Sequence, residues 1–263
     1  SEVQGLSAKR KEDVPTSILM SAGMSMHNVQ RMLNYGINTL GKSTYDTSNV
    51  LQKLRASQTR SSSDVLSFVY KIPPEKRLFG RASFIDQHAL SVNDQVVVFK
   101  SAVICTGSSP RVTYEQTRLP GILTVEKFFE QDILPKSAAV FGSSSQGLLL
   151  GQALSYLGVE VMVFGQSQLW DLTDEAVLRV ARQMLQDRFT LIIDSFITSI
   201  DTDEGGYAIY FLDEGYENFV QSESVIAANA RFPNIGGMSL QDIGIRLSQS
   251  GHIVVDKKSL QTS

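Results

Sequence analysis

The sequence contains few of the side chains that bind metals or form covalent cross-links. Its 263 residues include one cysteine, Cys105, and three histidines, His27, His88 and His252. A single cysteine excludes an internal disulfide and a cysteine-based metal cluster. The histidines lie far apart in sequence and lack the spacing of metal ligands. We therefore expect no metal site.

Long hydrophobic runs and an excess of positive charge are also missing. No apolar run is long enough to cross a bilayer, and the polar start, SEVQGLSAKRKED, is not typical of a signal peptide. The formal net charge is −3, and the Lys and Arg residues are scattered along the chain. We therefore expect a cytoplasmic protein that binds neither membranes nor nucleic acid.

The most informative segment contains a short apolar run, a turn of small residues, a helical run and a second apolar run. In order, these are Ser137–Phe141, Gly142–Gly147 (GSSSQG), Leu148–Leu157 and Val159–Phe164. The pattern predicts a strand, a turn, a helix that Gly158 ends, and a second strand. Such a turn presents backbone N–H groups and the positive end of a helix dipole to a ligand, typically a phosphate.

The turn is close to the G-x-G-x-x-G pattern of dinucleotide sites, with two departures. Its residues are Gly142, Ser143, Ser144, Ser145, Gln146 and Gly147. Ser144 replaces the second glycine, which normally lets the backbone approach the pyrophosphate. Gly165 occupies the position where an Asp or Glu would bind the ribose 2′-hydroxyl, and no Arg or Lys follows directly. The pattern states no preference between NAD and NADP, and a βαβ unit that only packs is the alternative.

The flanking segments predict helices first and strands afterwards. One helix covers Ile18–Leu33 and ends at Gly36, and a second begins near Ser48 and ends before Pro73. We expect the serine run at 60–64 to bend or break the second helix. Further along, the patterns predict strands Phe79–Ile85, His88–Val92 and Val96–Cys105, helix Thr173–Asp187, strands Leu191–Ile200, Tyr207–Leu212 and Glu223–Ala228, and a loop-like tail with strand His252–Val255.

Three segments in order carry a resemblance to a known family. They are Val103–Pro110 (VICTGSSP), the glycine turn, and Ala227–Asn234 (AANARFPN). They resemble the I-A-T-G-S-x-P, G-x-G-x-x-G and A-x-G-R-x-P-N segments of the pyridine-nucleotide-disulfide oxidoreductases, most of all the dihydrolipoamide dehydrogenase branch. The resemblance extends from about Gly5 to the last residue.

The resemblance implies an α/β, Rossmann-like FAD/NAD(P)-binding fold with a β-meander, plus a partial second domain. Residues 1–112 would be a partial FAD-domain segment, residues 113–230 the NAD(P)-binding domain, and residues 231–263 the return to the FAD domain. NAD or NADP would bind weakly at the glycine turn, with Gly165 and Ala230 nearby. Thr106 and Gly107 would form one edge of a flavin site, and FAD would bind only if the missing FAD-domain parts were supplied. A homodimer is expected in the full-length family context.

The positions that the family uses for dithiol chemistry are changed. Aligning Val14–Ser17 with the family places Ala8 and Asp13 at the two redox cysteines, and neither can form a disulfide. Leu149 stands where the family often has a Glu near the nicotinamide. Cys105 replaces a small Ala, so we expect a buried packing thiol. No catalytic residue is predicted, and this chain alone is not expected to be catalytically competent.

Two hypotheses follow from these patterns. The chain is the NAD(P)-binding portion of a dihydrolipoamide dehydrogenase-like flavoprotein oxidoreductase that lacks the redox cysteine pair. Alternatively, it is a redox-inactive homologue that acts as a nucleotide-binding or protein-interaction module. The missing FAD-domain parts alone favour the first hypothesis, because a shortened chain would lack them. Changes inside the chain, such as those at positions 8 and 13, favour the second.

Overall fold

The structure is a computed structural model that describes residues 8–37, 46–110, 121–166, 169, 172–203, 205–229 and 231–263. The chain divides into two compact units. The larger, the central unit, comprises Arg10–Arg60 and Pro110–Ala230. The smaller, the flanking unit, comprises Ser1–Lys9, Ser61–Ser109 and Arg231–Ser263. Residues 10–60 therefore group with residues 110–230, a different grouping from the one expected from the sequence.

The described residues form, in chain order, helices α1 (Ala8–Asn34) and α2 (Thr47–Lys71), a 3₁₀ turn (Pro74–Lys76), strands β1 (Ala82–Phe84), β2 (Ala89–Val92), β3 (Gln95–Val98), β4 (Ser108–Pro110) and β5 (Leu123–Thr124), helix α3 (Val125–Phe128), strand β6 (Ser137–Phe141), helix α4 (Ser145–Tyr156), strand β7 (Glu160–Gly165), helix α5 (Glu175–Gln186), and strands β8 (Thr190–Ile193), β9 (Phe196–Asp203), β10 (Gly206–Asp213), β11 (Tyr216–Ser222), β12 (Ser224–Ala227) and β13 (Arg231–Pro233).

A five-stranded parallel sheet forms the middle of the central unit, in the order β5-β12-β6-β7-β8. Strand β6, which precedes the glycine turn, pairs in parallel with β7, which follows α4, and Val140 lies opposite Val163. These are the two strands that the sequence predicted on either side of the turn and helix. Both strands are almost fully buried because each face of the sheet is covered. Along β6, Ala138 and Val140 face one hydrophobic cluster, whereas Ala139 and Phe141 face another.

Helices α1, α2 and α4 contribute to the first of these clusters. Leu19 of α1 and Leu51 and Leu54 of α2 are fully buried in it. Helix α1 is longer than predicted, because it begins at Ala8 and not at Ile18, whereas α2 has close to its predicted bounds. The serine run at 60–64 does not break α2, because the helix continues through these residues.

A three-stranded antiparallel sheet, β11-β10-β9, covers the second cluster. Its strands differ from the prediction in two respects. The predicted strand Leu191–Ile200 is divided between β8 and β9, and Asp194 between them has a φ of 58°. Strand β11 was not predicted.

The flanking unit contains the predicted antiparallel meander β1-β2-β3. Asn93 and Asp94, with φ of 48° and 65°, form the tight turn between β2 and β3. The third strand ends at Val98 and not at Cys105, and the predicted strand His252–Val255 is reduced to isolated bridges from Ile253 and Val255. A small core surrounds Phe84, Met238, Leu240 and Ile245.

Candidate dinucleotide-binding site

The glycine turn lies between the end of β6 and the start of α4. Gly142 has a φ of 132°, and a Cβ there would lie 2.4 Å from the Ala228 carbonyl oxygen. Its N–H donates to the Phe164 carbonyl at 2.8 Å. This position sits at the carboxyl ends of three neighbouring strands, β12, β6 and β7, where open α/β sheets bind ligands. Only glycine fits there without displacing backbone atoms.

Gly147 and Gly151 bring α4 close to the turn and the sheet. A Cβ on Gly147 would lie 2.0 Å from the Gly142 carbonyl oxygen. A Cβ on Gly151 would lie 2.9 Å from Cγ2 of Val163. At the first and third glycines of the pattern, a Cβ would therefore collide with backbone oxygen atoms.

Ser144, the residue in place of the second glycine, precedes the first helical residue of α4. Its hydroxyl donates to the Ala228 carbonyl at 3.2 Å. The side chain therefore does not cap the helix. The first-turn N–H groups of a helix have no intrahelical acceptor, so those of α4 can bind a phosphate with the support of the helix dipole. The serine hydroxyl does not compete for them.

Ser143 and Gly165 meet at the edge of this site. The Ser143 hydroxyl accepts from the Gln166 N–H at 3.1 Å, and its side chain is buried. A Cβ on Gly165 would lie 2.3 Å from Cβ of Ser143. The position that would provide a ribose acceptor thus has no side chain, and Ser143 occupies the adjacent space. Ser167 and Gln168 lie outside the described residues.

Helix α1 packs along α4 and reaches the turn, a relationship that the sequence analysis missed. The Gln146 side-chain amide donates to the Thr16 hydroxyl at 2.8 Å. Further along, the His27 and Tyr156 rings stack with centroids 4.5 Å apart. Positions 8 and 13, aligned with the redox cysteines, belong to this same helix. No local sequence signal identifies such a contact, because its partners are 130 residues apart.

The electrostatics of the α1–α4 contact centre on His27. Burial, followed by the positive charges of Arg188 and Arg31, lowers the pKa of His27 below its ordinary value. The Arg188 guanidinium also lies 5.6 Å from the Tyr156 ring centroid. Positive charge around this ring therefore favours its neutral form.

Leu149, where the family often has a Glu, lies on α4 beside an apolar cavity of about 350 Å³. Gln152, Tyr156, Met184 and Arg188 line the same cavity. Leu149 adds apolar surface there and no titratable group.

Thr106 and Gly107, the predicted edge of a flavin site, belong to the flanking unit. The Asn234 side-chain amide donates to the Thr106 carbonyl at 3.2 Å, and the Asn234 N–H donates to the Gly107 carbonyl at 2.9 Å. Arg231 donates to the Ser108 hydroxyl at 2.9 Å and to the Ser108 carbonyl. Two of the three segments that carry the resemblance are thus joined by hydrogen bonds.

Four further expectations concern Ala230, Cys105, metal binding and membrane spans. Ala230 lies outside the described residues. Cys105 is exposed, so the expectation of a buried thiol is wrong. In the described part of the chain, no group of three or more His, Cys, Asp or Glu side chains could hold a metal ion. No described helix is long and apolar enough to cross a membrane.

The parallel sheet and the glycine turn together define an α/β protein with a Rossmann-like fold. The sequence profile of a family described as pyridine nucleotide-disulphide oxidoreductase matches residues 7–263. The chain belongs to this family, and the resemblance seen in the sequence is confirmed.

Individual relatives agree with this assignment. The chain is similar to a mercuric reductase of Staphylococcus aureus, with 29% identity over 191 residues, 70% of this chain and 34% of the relative. It is also similar to the dihydrolipoyl dehydrogenase of Bacillus subtilis, with 24% identity over 258 residues, 93% of this chain and 53% of the relative. The chain therefore spans between a third and about half of the length of these relatives.

Two solved structures share the fold. LpdA from Mycobacterium tuberculosis matches with a TM-score of 0.75 and 20% identity, over 95% of this chain and 56% of that chain. The HOCl-induced flavoprotein disulfide reductase RclA from Escherichia coli matches with a TM-score of 0.71 and 19% identity, over 95% of this chain and 53% of that chain. At these identities the likeness establishes the fold alone.

Proposed function

We propose that the chain is the NAD(P)-binding portion of a dihydrolipoamide dehydrogenase-like flavoprotein oxidoreductase that lacks the redox cysteine pair. The observation that carries this proposal is the steric fit of the glycine turn. Gly142 and Gly147 sit where a Cβ would meet backbone oxygens at 2.4 and 2.0 Å. Family membership supports the nicotinamide nucleotide as the ligand class, since the family description names it.

The pyrophosphate of the nucleotide would bind at the first turn of α4. Its negative charge would meet the N–H groups at the helix start, and the Ser144 hydroxyl, bonded to Ala228, would not occupy them. Gly165 would give the adenosine ribose no side-chain acceptor. Binding would therefore be weak, with little preference between NADH and NADPH.

The bound nicotinamide would supply a hydride, and this chain would orient the nucleotide that carries it. Neither Ala8 nor Asp13 can form the disulfide that would accept the electrons. Thr106 and Gly107 would contribute one edge of a flavin site, completed by FAD-domain parts that are not in this sequence. On this proposal the chain binds and positions the nucleotide, and it needs a flavin domain for turnover.

A redox-inactive homologue, acting as a nucleotide-binding or protein-interaction module, is the second candidate. The changes at Ala8, Asp13 and Leu149 favour it, because they lie inside the chain and do not depend on its length. The first candidate and a nucleotide-binding module both require the nucleotide site, whereas a protein-interaction module does not. Only the first candidate requires hydride transfer once a flavin domain is present.

Calorimetric titration of the purified chain with NADH and with NADPH tests the nucleotide site. We expect weak binding of both nucleotides with similar affinities, and competition by ADP-ribose. Absence of binding would contradict the first candidate and would leave only the protein-interaction form of the second. Tight binding of one nucleotide would contradict the prediction of weak, unselective binding and would favour an active oxidoreductase.

A further inference from the structure

One segment of the central unit has a single sign of charge. Residues 189–230 contain no Lys, Arg or His. The segment contains these carboxylates: Asp194, Asp201, Asp203, Glu204, Asp213, Glu214, Glu217 and Glu223. It includes the antiparallel sheet β9–β11, so this sheet carries acidic groups without cations of its own.

The strand register assigns the side chains of this sheet to two faces. Ile209 pairs with Ile200 and Val220, and these residues belong to the cluster beneath the sheet. The alternate rungs therefore face outward. They are Phe196–Leu212–Glu217, Ser199–Tyr210–Phe219 and Asp201–Ala208–Gln221. We call these rungs the outer face.

The outer face exposes aromatic rings between carboxylates. The side chains of Phe196, Tyr210 and Phe219 are 70%, 40% and 62% exposed. Tyr210 and Phe219 stack across the strands with centroids 5.8 Å apart. Asp201 and Glu217 are exposed on the rungs to either side. Grouped exposed rings of this kind mark interaction surfaces more often than single exposed apolar residues do.

The edge of the sheet adds backbone groups to this surface. Strand β11 is the last strand of its sheet, and within the described residues no further strand pairs with it. Its main chain can therefore accept an added extended strand. Side chains of such a strand would alternate, so every second one would lie over the outer face near Phe219 and Glu217.

We propose that the outer face and the β11 edge bind an extended, arginine-rich segment of a partner protein. Guanidinium groups stack on aromatic rings and pair with carboxylates in one planar geometry, and this face offers both partners side by side. A second copy of this chain is a poor occupant, because the same face would oppose carboxylates to carboxylates. The inference concerns a surface apart from the glycine turn and does not depend on nucleotide binding.

The test uses the full chain and a fluorescent peptide of alternating arginine and threonine, followed by anisotropy at low salt. We expect saturable binding that weakens with added salt, and no binding of the matching glutamate–threonine peptide. Replacing Tyr210 and Phe219 by serine should weaken binding about tenfold, as should Asp201→Asn with Glu217→Gln. These side chains point away from the core, and circular dichroism should show retained folding.

Phe68→Ser is the matched control, because Phe68 is a comparably exposed ring (66%) that lies outside the outer face. It should leave peptide affinity unchanged. The proposal is overturned by an absence of peptide binding, by equal weakening in the Phe68 variant, or by a dimer in sedimentation that dissociates when Phe219 is replaced by serine.

Discussion

The side-chain amide of Gln146 donates a 2.8 Å hydrogen bond to the hydroxyl of Thr16. Gln146 belongs to the glycine turn region at the start of α4, and Thr16 is a buried residue of α1. The bond joins the glycine turn to the helix that carries positions 8 and 13. Helix α1 therefore supports the turn, although it has no cysteine at either position.

We expect Thr16→Val and Gln146→Leu each to lower the free energy of unfolding by about 1–2 kcal/mol, because each leaves one polar partner without the other. The double variant should lose less than the sum, since both polar groups are then removed. Urea denaturation of the four proteins measures the coupling. Ser21→Ala, at an exposed position of α1, is the control and should change stability by less than about 0.5 kcal/mol. Strict additivity would show that the bond does not contribute.

We expect a larger loss of stability when Gly147 of the glycine turn is replaced. A Cβ at position 147 would lie 2.0 Å from a backbone oxygen, and a backbone atom cannot move aside as a flexible side chain can. Gly147→Ala should therefore destabilise the chain by about 3 kcal/mol, although alanine is the better helix former.

Gly205→Ala is the matched comparison for this variant. No atom lies within 4 Å of a Cβ built at position 205. We expect a change within about 0.5 kcal/mol, measured by the same denaturation. Equal effects at positions 147 and 205 would refute the steric role of Gly147.

The predictable part of the fold is the part that local chemistry determines. Strand β6 was predicted to the residue, because a short apolar run followed by glycine has few other interpretations. The end of β3 was not predicted correctly. Residues Phe99–Cys105 are apolar enough for a strand, but a strand also requires a partner strand to pair with, and the sequence does not show where that pairing stops. The break between β8 and β9 at Asp194 depends on a left-handed backbone conformation. An Asp residue adopts this conformation in only a minority of cases, so the sequence does not predict it. The contact between Gln146 and Thr16 depends on tertiary packing alone.

The His27–Tyr156 stack predicts a pH dependence of stability. Burial and then the charges of Arg188 and Arg31 lower the pKa of His27 in the folded chain below 6.5. The unfolded chain therefore binds the proton more readily, and stability is lost as the pH falls through about 6.5 towards the lower folded-state value. His27→Phe keeps a ring against Tyr156 and removes the titration. Denaturation just above and below pH 6.5 should show a larger loss in the wild type than in this variant; equal losses would contradict the prediction.

The final prediction concerns the nucleotide preference. A carboxylate at position 165 could accept from the ribose hydroxyls, but its Cβ would lie 2.3 Å from Cβ of Ser143. The variant that restores the pattern therefore combines Ser143→Gly, Ser144→Gly and Gly165→Glu. The added hydrogen bonds would each contribute roughly 0.5–1.5 kcal/mol, so NADH affinity should rise about ten- to a hundredfold. NADPH affinity should not follow, because the carboxylate repels a 2′-phosphate. The control carries the same two serine changes with Gly205→Glu, which adds the charge where there is open space. Calorimetry should show the gain in the first variant alone; a similar gain in the control would show that Gly165 does not face the nucleotide.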